Sequence, residues 1–311
     1  MKTSFEHLPE RKQRELARIV DLIHEEFADA VSGGTADFKK KGRILKIILF
    51  GSYARGTWVD EPHTMKGYRS DYDVLVIVNT RKLAGAEYWH KTADRLMHDK
   101  AVETPVGLIT HSLREMNRFL QDGHYFFSDI RRDGIVLYEL DDAALAEPKT
   151  LNAADAFRVA KEHFELRFRF AKDFAKGSKF YISEGNLKLA AFELHQSIES
   201  AYATVLLTCT NYSPPSHNIK FLRSLAEGCD QRLVEAWPRD AIHAVAWFNI
   251  LNEAYVKARY SRHYEITEEA LRWLIERTTV LLGLVETASI ERLGTLADQV
   301  AAAPASQDAA Q

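Results

Sequence analysis

The chain has 311 residues, 46% of them apolar, and a formal net charge of −3 at pH 7. This length corresponds to about two domains, and the apolar fraction is sufficient to fill buried cores. The small charge excludes a general polyanion-binding surface, which leaves nucleic acid as a partner only through a local basic patch. No apolar stretch reaches the roughly 18 residues of a membrane span, and two cysteines without a signal-peptide pattern indicate buried thiols. We therefore expect a cytoplasmic protein that does not contact a membrane.

Apolar periodicity in the first half of the chain predicts an α/β domain. An amphipathic helix begins after Pro9 and ends at Ser32-Gly33-Gly34. Short apolar runs with polar ends then predict strands. The elements that follow, in chain order, are a strand from Ile44 to Phe50, a strand from Val74 to Val78, a helix around Lys82 to Asp99, and a strand near Pro105 to Thr110.

Acidic residues open the second of these strands. Asp71 and Asp73 are two residues apart, so in a strand their side chains project to the same face. Neighbouring carboxylates repel unless a cation lies between them, and oxygen ligands favour Mg²⁺ or Mn²⁺, which commonly complete their shells with substrate phosphates. We predict that Asp71 and Asp73 are both catalytic residues and metal ligands, and that the substrate is a nucleoside triphosphate.

A glycine-serine turn closes the preceding strand. Gly51 lets the backbone approach a phosphate, Ser52 can donate its hydroxyl and main-chain N–H, and Arg55 adds positive charge. Either motif alone is often a plain turn or strand cap. Because the two motifs stand at adjoining strand ends, we predict that Gly51, Ser52 and Arg55 bind the phosphates.

Two segments lack apolar periodicity. Between Trp58 and Arg69, a polar insertion is longer than a tight hairpin needs, and it fits a lid or specificity loop as well as a plain surface excursion. Residues 141–149 are rich in Asp, Ala, Glu and Pro and are a plausible linker. They divide the chain into expected domains at 1–146 and 147–290.

The second half is predicted to be entirely helical. Asn152 can cap a long amphipathic helix that Gly177 would end, and a final helix starts at Thr267. His195 and Glu199 share a helix face, and we favour a buried polar contact over a metal site because no third ligand is adjacent. After about residue 290 the periodicity is lost, which predicts a disordered tail over 291–311.

The strings GSYARG (51–56) and SDYDVLV (70–76) resemble the Gly-Ser and Asp-x-Asp motifs of polymerase-β-like nucleotidyltransferases, particularly the minimal prokaryotic type. The resemblance continues through 111–139. Residues 190–207 and 252–260 are similar to HEPN domains, helical bundles that often accompany such transferases. The resemblance implies a polymerase-β-like mixed sheet with flanking helices, followed by an all-α antiparallel bundle through which the chain is expected to form a homodimer.

The function implied by the resemblance is transfer of a nucleoside monophosphate from a nucleoside triphosphate to an unknown acceptor, with release of pyrophosphate. The acceptor could be a protein, an RNA or a small molecule such as an aminoglycoside. One alternative is a nucleotide-binding regulatory or toxin–antitoxin-type protein whose chemistry has lapsed. A less favoured one is a HEPN ribonuclease, because only three residues separate Arg259 and His263 where that class has four to six.

The chain departs from the family at one position. The family usually supplies a third carboxylate from a later strand, and Gly107 stands at the matching place. Glu103 shares the strand parity of Gly107 and is the candidate for a third metal ligand through a bulge or loop, although four residues correspond to about 13 Å along a regular strand. His111 has the same parity and is a weaker candidate.

Overall fold

The computed structural model describes residues 1–60, 70–140, 143–238 and 242–302. Most of the predicted polar insertion, at 61–69, therefore lies outside the described residues. The chain passes from one compact unit to a second between Thr150 and Leu151. Within the described ranges, no helix is both long enough and apolar enough to cross a membrane.

The first unit contains a four-stranded sheet with helices on both sides. The strands are β1 (Ile44–Phe50), β2 (Tyr72–Val78), β3 (Val106–Ser112) and β4 (Ile135–Glu139). The helices are α1 (Glu10–Val31), α2 (Asp37–Lys40), α3 (Gly51–Arg55), α4 (His90–His98), α5 (Leu113–Gln121) and α6 (Tyr125–Asp133). The helix predicted from Lys82 to Asp99 is shorter than expected, because two 3₁₀ turns, Arg81–Leu83 and Ala86–Tyr88, flank Gly85 before α4 begins.

The sheet is mixed, which confirms the predicted fold class. The strand order is β3-β2-β1-β4, with β1 antiparallel to both of its neighbours and β2 parallel to β3. Every residue of β1 and β2 is buried because both faces of these central strands are covered. The register places Asp73 beside Phe50 on one side and beside Gly107 on the other.

The two faces of the sheet carry different side chains. Tyr72, Val74 and Val76 belong to the core that is shared with α1 and α4. Asp73 alternates with them and projects to the opposite face, the one that α5 and α6 cover. On that face the ring of Phe50 packs edge-on against Phe126 at 5.4 Å between centroids. The acidic motif is therefore split, with Tyr72 in the core and Asp73 on the other side.

The second unit is all helical, as predicted. Its helices are α7 (Ala153–Ser183), α8 (Leu187–Thr210), α9 (Ile219–Cys229), α10 (Ile242–Asn252), α11 (Ala254–Tyr260) and α12 (Glu268–Ala302), with a 3₁₀ turn at Gln231–Ala236. The side chains of Asn152, Asn186 and Asn218 accept hydrogen bonds from backbone N–H groups at the starts of α7, α8 and α9. A three-residue turn joins α7 to α8, so these two long helices run antiparallel.

Three expectations about this half are wrong. Gly177 does not end α7, which continues to Ser183, because Gly177 packs closely against Glu193 of α8 and the Ser178 hydroxyl donates to the Ala190 carbonyl at 2.8 Å. Of the expected disordered tail at 291–311, residues 303–311 lie outside the described residues, but helix α12 extends past residue 290 to Ala302, with Leu296 only 2% exposed. Cys229, expected to be buried, is an exposed thiol. Packing between helices outweighs the local sequence signals in the first two cases.

The extension of α12 predicts a difference in stability between two nearby positions. Leu296→Ala should lower the free energy of unfolding by about 2–5 kcal/mol, because it removes a buried side chain and leaves a cavity. Val300→Ala is the matched control, since Val300 is 36% exposed and its truncation should change stability by roughly 0.5 kcal/mol or less. Urea unfolding of both variants measures the difference. Equal effects at the two positions would contradict a packed end of α12.

Candidate active site

Asp73 is a buried acid with an unsatisfied oxygen. Its residue exposure is 8%, and its Oδ1 has no hydrogen-bond partner among the described residues. Burial raises the pKa of Asp73 well above its usual range, repulsion from Asp71 raises it further, and the positive charge of Arg55 opposes both. A carboxylate in this state is costly for the metal-free protein unless a cation approaches it.

The glycine-serine turn touches this acid directly. Gly51 has a φ of +72°, in the left-handed region that favours glycine, and a Cβ atom added there would overlap the Oδ2 atom of Asp73. The structure thus brings together Gly51 and Asp73, which are 22 residues apart in the sequence. A side chain at position 51 is excluded both by the backbone conformation and by the neighbouring carboxylate.

Ser52 and Arg55 lie on the short helix α3 that follows the glycine. Ser52 is half-buried and Arg55 is exposed. The positive charge of Arg55 acts on Asp73 and also on Asp129 of α6. Burial raises the pKa of Asp129, and the charges of Arg132 and Arg55 oppose this rise. Asp129 was missed by the sequence analysis. Its only signal is its place in the charged string SDIRRD (128–133), where an acid three residues before Arg132 indicates an ordinary helix pair.

The structure does not gather a third ligand with the two aspartates. Gly107 is the register neighbour of Asp73, so the position that would carry a third carboxylate has no side chain. Glu103, the candidate replacement, is 57% exposed and accepts a hydrogen bond from Arg11 of α1 at 3.0 Å. His111 lies opposite Ile77, further along the strand, packs against aromatic rings, and has a pKa that burial lowers to about 4. No group of three acidic, histidine or cysteine side chains in the described ranges is arranged to hold a metal.

The remaining donor set is two carboxylates. Asp71 and Asp73 offer oxygen ligands only, and the buried, unpartnered Oδ1 of Asp73 is the kind of atom that a hard cation satisfies. Mg²⁺ is usually bound in this way, through one or two carboxylates with the other positions filled by water and substrate phosphates. The residues present therefore fit Mg²⁺ or Mn²⁺ bound together with a triphosphate better than an ion held by protein alone.

Two family models match parts of this chain. Residues 35–111 match the family described as "Nucleotidyltransferase domain", and residues 164–288 match the family described as "HEPN domain". The chain therefore contains a nucleotidyltransferase domain at 35–111, followed by a HEPN domain at 164–288. The first match contains the turn at Gly51, both aspartates and Gly107, which confirms the resemblance that the motifs indicated.

A short segment of the chain is also similar to a curated protein. A protein of Methanocaldococcus jannaschii, named as a candidate protein adenylyltransferase, is 43% identical over 53 residues. The match covers 17% of this chain and 40% of that relative. It supports nucleotidyl transfer as the general chemistry of the nucleotidyltransferase domain.

The HEPN domain uses its histidines and arginines in local contacts. His195 is fully buried, and its Nε2 bonds to the His217 carbonyl at 2.9 Å, as expected for a polar contact inside the bundle. Arg259 donates to the Tyr255 carbonyl at 2.7 Å and lies over that tyrosine ring, whereas His263 is exposed.

The contact between Gly51 and Asp73 predicts a specific sensitivity. Gly51→Ala should remove Mg²⁺-triphosphate binding, because the new methyl group displaces the Asp73 carboxylate. Gly33→Ala is the matched control, since Gly33 has a similar φ of +66° but nothing within 4 Å of an added Cβ. Both variants should lose about 1 kcal/mol of stability to backbone strain. Calorimetric titration with a non-hydrolysable triphosphate and Mg²⁺ separates them, and equal affinities would contradict the contact.

The raised pKa of Asp73 predicts how stability depends on pH. The pKa of the Asp73 carboxyl is 3.8 in the unfolded chain and higher in the folded protein, so the folded protein binds the carboxyl proton more tightly. The stability of the metal-free protein should therefore rise as pH falls through the folded-state pKa. Asp73→Asn should therefore melt at a higher temperature than wild type at neutral pH, with a difference that disappears below about pH 4.

A second acid, Asp99, is a control for which the same substitution should change the melting temperature in the opposite direction. The Ala101 N–H and Arg18 lower the pKa of Asp99, so its ionised form stabilises the fold and Asp99→Asn should melt lower than wild type at neutral pH. Thermal melts in a metal chelator over roughly pH 4 to 8 compare the three proteins. Destabilisation by Asp73→Asn at neutral pH would show that Asp73 is a structural cap.

Proposed function

We propose that this protein is a Mg²⁺-dependent nucleotidyltransferase that moves a nucleoside monophosphate from a nucleoside triphosphate to a hydroxyl acceptor. The observation that carries the proposal is the contact of Gly51 with the buried, unsatisfied carboxylate of Asp73. A glycine turn beside paired acids at one end of a sheet provides both a place for phosphates and a place for their counterion. A solvated strand cap would require neither the burial nor the close approach.

Each residue of the site has a proposed role. Asp71 and Asp73 hold the metal ion, which supplies charge stabilisation and orientation of the phosphates when it is bound. The Gly51 backbone and the Ser52 hydroxyl bind the β- and γ-phosphates, and Arg55 adds positive charge beside them. In the reaction, the acceptor oxygen forms a bond to the α-phosphorus, the bond from that phosphorus to the bridging oxygen breaks, and pyrophosphate leaves. The hydroxyl proton passes to solvent.

The acceptor class that we favour is a protein hydroxyl. The support is the name of the archaeal relative, which describes transfer of an adenylyl group to protein. RNA and small molecules such as aminoglycosides are the other outcomes of the test below.

A lapsed, nucleotide-binding protein is the second candidate, and Gly107 is the observation that favours it. A glycine beside Asp73 removes the side chain that would otherwise complete the ligand set or accept a proton. Such a protein would still bind Mg²⁺ and triphosphate through Asp71 and Asp73. It would differ from a transferase only in releasing no pyrophosphate.

The proposed activity predicts labelled product and pyrophosphate from α-labelled triphosphates. Wild-type protein with Mg²⁺ should transfer label to protein in a cell extract, and protease but not ribonuclease should remove that label. Asp71→Asn with Asp73→Asn should lower transfer by at least about 100-fold, because both metal ligands are lost. Asp94→Asn, which changes an exposed acid on α4, is the control.

Three other outcomes are informative. Label in RNA or in a small molecule would change the acceptor class. Triphosphate binding without any pyrophosphate release would identify the lapsed protein. Undiminished transfer by the double variant would contradict the assignment of Asp71 and Asp73 as metal ligands.

A further inference from the structure

A buried lysine lies behind the candidate site. Lys12 of α1 is 2% exposed, and its Nζ atom donates to the Thr104 hydroxyl at 2.6 Å. The same atom lies 3.4 Å from Asp60 Oδ2 and 3.8 Å from Glu15 Oε1. Lysine is rarely buried this deeply, because its charge must be compensated by partners inside the protein. This ammonium has two carboxylates and a hydroxyl.

The Lys12 ammonium also touches the aromatic residue of each motif. It lies 5.6 Å from the ring centroid of Tyr53 and 5.7 Å from that of Tyr72, within the range of a cation–π contact. The two rings contact each other at 4.3 Å. Tyr53 directly follows Ser52, and Tyr72 stands between the two aspartates. The tyrosines of both motifs therefore contact the same buried charge.

Two further segments meet at the same ammonium. Asp60 belongs to the chain that leaves the phosphate turn, and Thr104 lies three residues before Gly107 on the approach to β3. Glu15 strengthens the link, since its Oε2 accepts a hydrogen bond from the Thr104 backbone N–H at 3.3 Å. Lys12 thus connects helix α1 to three segments next to the site: the turn, the acidic strand and the start of β3.

We propose that Lys12 is a positioning residue, which holds the Gly51-Ser52 turn in register with Asp71 and Asp73. The proposal rests on the proposed function of that site. Lys12 acts through Tyr53 and Tyr72 and does not touch the substrate, because Tyr72 projects into the core and Asp73 projects to the opposite face of the sheet.

Stability alone does not account for a charge at this position. A buried ion pair can often be replaced by apolar residues of similar volume with no loss of stability, so a methionine packed against the two tyrosine rings would fill the space of Lys12. An apolar residue at this position would make no directional contacts. The hydrogen bond to Thr104 and the ion pairs to Asp60 and Glu15 fix the ammonium, and hence the rings above it, at one place. Shifts of about 1 Å near a reacting group can lower rates by about 100-fold.

The test removes this charge together with its buried partner. Lys12→Met with Glu15→Gln should raise the dissociation constant for Mg²⁺ and a non-hydrolysable triphosphate by about tenfold and lower the transfer rate by on the order of 100-fold. The matched control is Lys46→Met with Glu139→Gln. Lys46 is equally buried and pairs with Glu139, but it lies four residues before Phe50, the end of β1, which is about 13 Å along the strand.

A structural role and a positioning role predict different results. If Lys12 only stabilised the fold, both double variants would melt at lower temperatures and both would bind Mg²⁺-triphosphate with wild-type affinity. If Lys12 positions the site, the affinity falls for its variant and stays within about twofold for the control, whatever their melting temperatures.

A second pair of variants serves if the double variant does not fold. Thr104→Val removes the 2.6 Å hydrogen bond to Lys12 and keeps the side-chain shape. Thr92→Val is its control, since Thr92 is fully buried and its hydroxyl has no partner in the described part of the chain. Weaker triphosphate binding by Thr104→Val but not by Thr92→Val is the expected result.

Mg²⁺-triphosphate binding by the wild-type protein separates the test of the proposed function from the test of the positioning role of Lys12. Wild-type protein that fails to bind Mg²⁺-triphosphate overturns the proposed function, and the role of Lys12 falls with it. Wild-type protein that binds, with Lys12 and Thr104 variants that bind equally well, overturns the positioning role and leaves the proposed function standing.

Discussion

The carboxyl group of Asp73 is buried, two residues from a second acid, Asp71. Two like charges in this arrangement repel each other unless a cation compensates them. The sheet leaves this group no alternative place, because the register of β2 with both neighbours fixes where the side chain emerges. Its surroundings are adapted to it. Gly51 has no side chain where one would strike the carboxylate, and Gly107 has none beside it on β3. Neither of these neighbouring backbone positions places a side chain against the acid.

The core of the nucleotidyltransferase domain supports this arrangement from the face of the sheet opposite to the Asp73 side chain. The core under β2 is continuous with α1 and α4, so the tyrosine between the two aspartates is held in apolar packing while its neighbours face the site. Lys12 adds a polar anchor inside that packing. A buried acid on one face of a strand and a buried lysine on the other both cost stability, and such costs are common at active sites.

The parts that the sequence predicted are those governed by local pattern. Unbroken apolar runs identified the central strands, and the two-residue period placed Asp71 and Asp73 together. The parts that it missed depend on tertiary contacts. Glu103 has the parity of a ligand but is engaged by Arg11 of another element, and Lys12 reads as a surface lysine near the start of an amphipathic helix. Helix α7 continues through Gly177 because packing against α8 outweighs a local penalty of about 1 kcal/mol.

The central claim is that the Asp71–Asp73 pair exists to hold a divalent ion together with a triphosphate. Electron paramagnetic resonance of Mn²⁺ tests it most directly, since the free ion is observed as it is withdrawn from solution. Wild-type protein should bind Mn²⁺ weakly alone and much more tightly when a non-hydrolysable triphosphate is present, because the phosphates supply the missing ligands. In Asp73→Asn this gain should disappear. Equal Mn²⁺ binding by the two proteins in the presence of triphosphate would contradict the account.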